Sequence, residues 1–181
     1  GDSFWLIYSG SEKKLFGINA SGCSPRNASF EDLRRQGHTT IPRRGGLPVT
    51  VPGTISGWGI AHRHLGRLPL AEILMPVINL ARQGITVTGK LANRIAWSVK
   101  DLRHFPEWMA IYCPEGKPLT AGELLTCTNL ANTLEAIAVH GCDAFYTGAI
   151  GDEIVNAVQK YGGFLEKDDL INHKPLWVTP I

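Results

Sequence analysis

Few side chains in this sequence are spaced to act on one atom together. His62 and His64 come nearest to a metal-binding pair. Two residues apart on a helix, they diverge by about 200° and cannot share an ion, so they read as solvated helix residues. His104, His140 and His173 have no acidic or cysteine partner at ligand spacing. Glu166, Asp168 and Asp169 form a carboxylate cluster, but acids in the first turn of a short helix are stabilised by its positive end without any catalytic duty. Cys23, Cys113, Cys127 and Cys142 make no C-x-x-C pair and read as buried or idle thiols. Gly53-Thr54-Ile55-Ser56-Gly57 lacks the Lys of a phosphate loop, and Gly57-x-Gly59 lacks the third glycine of a dinucleotide fingerprint. No G-x-S-x-G nucleophile elbow occurs. Residue type and spacing therefore define no catalytic set, no metal ligands and no cofactor motif.

The elements that would have to position any site are easier to read. Phe4 to Tyr8 and Leu15 to Asn19 are β-type runs around the polar turn Ser9–Lys13, a hairpin pattern. The loop Ala20–Pro25 follows, its small residues suited to close backbone approach. Phe30 to Gln36 reads as a short helix with Ser29 as N-cap and Gly37 beyond its end. A Pro/Gly-rich loop leads to an expected short strand, Val49–Val51, and Thr54 is the expected cap of a helix from Ile55 to about Leu65. Leu70 to Gln83 carries apolar residues at i, i+3, i+4 and i+7, with Pro76 inside and a kink expected there. Gly89–Leu102, Asn129–His140 and Gly148–Tyr161 are further helices. Thr120–Glu123 has the form of a capping box, and Lys167 to Asn172 is a short helical turn before a last strand near Lys174. Trp58, Trp97 and Trp108 read as core or interface anchors. Two strands, about five helices and a final strand indicate a mixed α/β or α+β protein.

Composition narrows the class. With 181 residues, 44% hydrophobic and 19% charged, the chain is neither disordered nor coiled coil. A net charge of +2 with no basic run longer than Arg43-Arg44 gives no support for nucleic-acid binding. No uninterrupted apolar stretch of about 18 residues marks a membrane span. Four cysteines are too few for a disulfide scaffold, and the compartment stays open between cytoplasmic and periplasmic or secreted. The abrupt start at Gly1 and stop at Ile181 suggest cuts inside a larger protein.

Three blocks, in order, resemble the γ-glutamyltransferase family. The first is Gly1-Asp2-Ser3-Phe4-Trp5-Leu6-Ile7-Tyr8, similar to the glycine-rich entry and first strand of that family's large chain. The second is Val51-Pro52-Gly53-Thr54-Ile55-Ser56-Gly57-Trp58, continued by Gly66-x-Leu68-Pro69-Leu70 and Leu80-Ala81-Arg82-x-Gly84-Ile85-x-Val87. The third is Phe145-Tyr146-Thr147-Gly148 with Gly162-Gly163 and Lys167-Asp168-Asp169-Leu170, leading to Thr179-Pro180-Ile181.

The resemblance implies a four-layer αββα N-terminal nucleophile hydrolase fold, of which residues 1–181 are one helix-rich segment of the large chain without an internal domain boundary. It also implies a self-processing precursor whose small chain begins with a nucleophilic Thr activated by its own amine. The catalytic nucleophile is then outside this segment, the small chain is the partner, and no cofactor or metal is implied. In the transferases an Arg after the second strand holds the α-carboxylate of the glutamyl group, a task suited to a guanidinium. Here Ser21 stands at that place, in the loop Ile18-Asn19-Ala20-Ser21-Gly22-Cys23-Ser24-Pro25. The substrate-binding residues implied are Asn19, Ser21 and Gly22, with Arg26 as a cation that could reach back. The Asn-Ala-Ser-Gly form resembles the transferase-like and cephalosporin-acylase-like branch. Three functions follow as alternatives: γ-glutamyl hydrolysis or transfer on glutathione-like substrates, cleavage of another side-chain amide such as a glutaryl or cephalosporin one, or a non-catalytic scaffold.

Overall fold

The alternating N-terminal runs pair as expected. Strands β1 (Ser3–Ser9) and β2 (Lys14–Ala20) are antiparallel, in register from Ser3↔Ala20 to Ser9↔Lys14. β5 (Leu176–Val178) lies along the other edge of β2 through Gly17↔Val178, Ile18↔Trp177 and Asn19↔Leu176. The sheet order is β1-β2-β5.

Period-two geometry gives this sheet two unlike faces. One carries Trp5, Ile7, Ile18 and Ala20, with Ile18 and Ala20 buried. The other carries Phe4, Leu6, Tyr8, Leu15 and Leu176, of which Phe4 is 71% and Leu6 73% exposed. Asn19 shares this second face.

The computed structural model describes all 181 residues. Its helices are α1 (Phe30–Arg35), α2 (Thr54–Leu65), α3 (Leu70–Gln83), α4 (Gly89–Leu102), α5 (Pro106–Tyr112), α6 (Thr128–His140), α7 (Gly148–Lys160) and α8 (Lys167–Ile171). The remaining strands are β3 (Ile85–Thr86) and β4 (Leu124–Leu125), paired through Ile85↔Leu125. The chain divides into two compact units, residues 1–70 with 136–181, and residues 71–135.

In the first unit α2 covers the inner sheet face. A Cβ on Gly57 would stand 2.8 Å from the Ala20 Cβ and from Ser3 Oγ, so only glycine lets the helix come this close. Beside it Val51, Tyr146, Val158, Leu165 and Leu170 form a core. Each such side chain contributes about 1.5–3 kcal/mol when fully buried. In the second unit Val87, Ile95, Cys113 and Leu119 make a separate core, with Trp108 and Tyr112 packed on it.

Several expectations change. Val49–Val51 is not a strand. The Val51 N–H donates to the Cys23 carbonyl at 3.0 Å, but no ladder forms, and the β-branched side chain of Val51 fills the core instead. Thr54 does not cap α2. It is the first helical residue, and Gly53 holds the cap position with no side chain to offer.

Thr120–Glu123 closes on itself as a capping box would, Glu123 accepting from the Thr120 N–H and hydroxyl. It turns into β4 rather than a helix, because Gly122 sits at φ +96° and breaks the helical path. The helices number eight rather than about five, once the short α1 and α8 are counted. α5, with Pro106 at its start, is the one additional α-helix. Pro76 lies inside a continuous α3. Trp108 joins a core, but Trp97 is 61% exposed under the Arg94 guanidinium and anchors nothing in this chain.

Candidate functional site

The end of β2 and the loop leaving it hold the four residues singled out above, and the loop's shape is imposed from several directions. Inside it, the Asn19 Oδ1 accepts from the Ser21 N–H at 3.0 Å and from the Ser21 hydroxyl at 2.7 Å. A backbone N–H can only donate, so the atom facing it must be the amide oxygen. The Asn19 Nδ2 hydrogens and the lone pairs of Ser21 Oγ are what the loop has left to present.

Gly22 is the tightest point. A Cβ there would lie 1.6 Å from the Val51 carbonyl oxygen, and one on Gly53 would lie 2.2 Å from the Ala20 carbonyl oxygen. The two backbone stretches lie in direct contact, which is the physical reason for glycine at both positions. The Gly22 N–H donates to the Asp2 carboxylate at 2.8 Å. The Arg26 backbone N–H donates to Asp169 Oδ1 at 3.0 Å, and the residue is exposed. Asn19 and Ser21 are thus joined directly, Gly22 is tied to Asp2, and Arg26 is tied to Asp169 through its backbone.

The start of α2 is the wall behind this loop. Tyr146 reaches it from 90 residues away, accepting from the Ser56 N–H at 2.8 Å and donating to the Pro52 carbonyl at 2.7 Å. The hydroxyl thus takes one of the helix's orphan N–H groups in place of a cap side chain. Burial pushes its pKa above the ordinary phenol value. Ser56 Oγ donates to the Gly53 carbonyl at 2.7 Å and lies 2.9 Å from His173 Nε2. With the serine proton committed to that carbonyl, the imidazole donates. Burial holds the His173 pKa below its ordinary value, against the nearby Asp2 carboxylate, which raises it.

Ser56, His173 and Asp2 superficially resemble a nucleophile triad. Ser56 is 8% exposed and its proton faces a carbonyl rather than the imidazole, so the hydroxyl is neither activated nor accessible. The cluster is structural.

Other candidates resolve plainly. His62 Nε2 meets the Leu68 carbonyl at 2.8 Å. His64 is exposed, as expected, yet packs edge-on against Phe16 and Trp177 with centroids 5.3 and 5.2 Å away. No group of three or more His, Cys, Asp or Glu is arranged to hold a metal, and no helix is long and apolar enough to cross a membrane. Burial pushes the thiols of Cys113 and Cys142 up, away from the reactive thiolate.

The roles of Asp2, Tyr146, His173 and Asp169 could not be read from the sequence because their partners lie 20 to 143 positions away. Asp2, Tyr146 and Asp169 stood there as letters within the resemblance blocks.

The family model described as Gamma-glutamyltranspeptidase matches residues 1–181. A glutathione hydrolase-like proenzyme of Bacillus subtilis is 32% identical over 182 residues, covering 100% of this chain and 34% of the relative. Among solved structures, a cephalosporin acylase from Bacillus halodurans superposes with a TM-score of 0.93 at 33% identity, over 99% of this chain and 34% of that one. A γ-glutamyltranspeptidase from Helicobacter pylori reaches a TM-score of 0.93 at 23% identity, covering 100% of this chain and 53% of that one, a likeness of fold. The chain spans about a third of the length of the curated relative.

Proposed function

Because the chain belongs to the γ-glutamyltranspeptidase family, we propose that it is a segment of the large chain of a self-processing N-terminal nucleophile amidohydrolase. The complete protein hydrolyses or transfers γ-glutamyl groups, as the relative named a glutathione hydrolase-like proenzyme suggests. The match along all 181 residues carries this reading. A small chain of the same precursor supplies the nucleophilic Thr, whose own amine serves as base. It also supplies the layer that covers the apolar sheet face of Phe4, Leu6 and Tyr8. This segment alone is inactive, and residues 1–181 act as one piece of the large chain.

In this reading Asn19, Ser21 and Gly22 recognise the acyl head group, and Arg26 lies at the rim. A second reading, cleavage of a different side-chain amide, is favoured by Ser21. Where the resemblance implies a guanidinium, the loop presents a neutral hydroxyl and an amide pinned to each other. A buried carboxylate left without its charge-assisted bond loses about 1.5–3 kcal/mol, or about 10–150-fold in binding. The cephalosporin acylase with a TM-score of 0.93 supports the same direction.

The test is kcat/KM of the full-length protein on a γ-glutamyl anilide and a glutaryl anilide, for wild type and Ser21→Arg. Glutaryl turnover is expected to equal or exceed γ-glutamyl turnover, and Ser21→Arg to raise the latter. Strong γ-glutamyl activity in wild type that Ser21→Arg abolishes would show that the α-carboxylate is held elsewhere.

A further inference from the structure

We infer that Asp2 and Asp169 are positioning residues that fix the 19–26 loop, and with it the affinity for substrate; this rests on the reading of that loop as the acyl-binding site. Beyond Ala20 the loop has no ladder or helix to satisfy its backbone, and a backbone donor left unpaired away from water costs as much as a lost hydrogen bond. Two carboxylates meet this need from opposite ends. Asp2 Oδ1 takes the Gly22 N–H at 2.8 Å. Asp169 Oδ1 takes the Arg26 N–H at 3.0 Å, while its other oxygen takes the Glu166 N–H at 2.9 Å at the start of α8. Asp169 is 8% exposed, a buried carboxylate satisfied by two peptide donors. It is more than a first-turn acid, for it ties α8 to the loop across 143 positions. Between the two ties stands the Val51 N–H on the Cys23 carbonyl. Ser21 is thereby held on a backbone anchored on both sides, and its orientation toward Asn19 follows from that backbone.

The two aspartates differ in how many oxygens they use, and this makes the inference sharp. Asp2 uses one, so an asparagine there still accepts through its Oδ1. Asp169 uses both, so an asparagine there satisfies one peptide donor and turns its NH2 toward the other. The same chemical change should be harmless at one site and damaging at the other.

The experiment uses the full-length protein, with self-cleavage scored first. KM and kcat are then measured on whichever of the two anilides wild type hydrolyses faster. Asp169→Asn and Asp2→Ala are expected to raise KM about tenfold with kcat within about twofold, a loss of roughly 1.4 kcal/mol in binding. Asp2→Asn should restore a KM near wild type. Asp168→Asn, an exposed neighbour on the same turn, is the charge control and should leave both constants unchanged.

Ser21→Ala and Asn19→Ala separate the two levels of the argument. If they raise KM while Asp2→Ala and Asp169→Asn do not, the positioning inference fails alone. If none of the four raises KM, the loop is not the acyl-binding site and the function reading fails with it. A fall in kcat at constant KM for the aspartate variants also overturns the inference. Should Asp169→Asn fail to fold, the exposed Asp2→Ala and Asp2→Asn pair decides.

Discussion

Helices α2 and α4 both start on a threonine beside a glycine, and they solve the same problem in opposite ways. In α4 the threonine comes first. Thr88 is the N-cap and its hydroxyl accepts from the Leu91 N–H at 3.2 Å, while Gly89 stands in open space. In α2 the order is reversed. Gly53 takes the cap position, and Thr54 turns its hydroxyl to the Gly1 carbonyl at 2.7 Å. The Ser56 N–H waits for Tyr146. The start of α4 is self-contained. That of α2 gives up its local cap so that Gly53 can lie against the backbone where β2 ends, and distant residues complete it.

The sharpest way to break this contrast is to substitute the two glycines. Gly53→Ala would drive a Cβ into the Ala20 carbonyl and should cost about 3 kcal/mol or more, as overpacking against backbone does. Gly89→Ala meets nothing within 4 Å and should be neutral or stabilise by up to about 1 kcal/mol, the helix-propensity difference. Denaturant midpoints of the full-length protein give both values. Equal effects would erase the distinction.

The caps come next. Tyr146→Phe removes a hydroxyl that serves two partners and leaves the Ser56 N–H and Pro52 carbonyl unpaired, so about 2 kcal/mol should be lost. Thr88→Ala should cost about 1 kcal/mol, the usual worth of a side-chain cap. A larger loss at Thr88 than at Tyr146, by the same midpoints, would show that the remote cap is ornamental.

The smallest effect is a pH dependence, and it belongs to α2 alone. Burial depresses the His173 pKa below its ordinary value of 6.5. Between the folded and unfolded values the unfolded chain holds more protons, so stability rises with pH through that window and levels off above about 6.5. As pH falls below 6.5 this increment is lost, until the folded pKa is passed. His173→Gln should flatten that slope. An unchanged slope over pH 5 to 7 would place the titrating group elsewhere.

What could be read from the sequence follows the same division. The hairpin, α1 with Ser29 as cap, α3, α4, α6 and α7 are written in local periodicity and punctuation, and local physics decides them. Val49–Val51 has the composition of a strand but no neighbour free to pair with it. Thr120–Glu123 has the letters of a capping box but a glycine at positive φ where a helix would need to continue. α5 is seven residues long and carries too little period to be seen.

Asn19, Ser21 and Gly22 could be named from the resemblance, and the structure adds the hydrogen bonds that join Asn19 to Ser21 and Gly22 to Asp2. Arg26 has its backbone N–H on Asp169, a contact that no short-range pattern announces. Tyr146, His173 and Asp2 are ordinary residues in sequence, and only the folded chain gives them work.

The tie between Arg26 and Asp169 also sets a schedule. Residues joined across 143 positions cannot meet until the later one has been made. At about 5–20 residues per second of synthesis the interval is roughly 7–29 s. For that time β1 and β2 are free to pair, since their register closes within 20 residues. The loop at their end waits without its second anchor. The fully anchored loop is therefore among the last features this segment acquires, and a chain interrupted before residue 169 would carry a complete hairpin with that loop still unset.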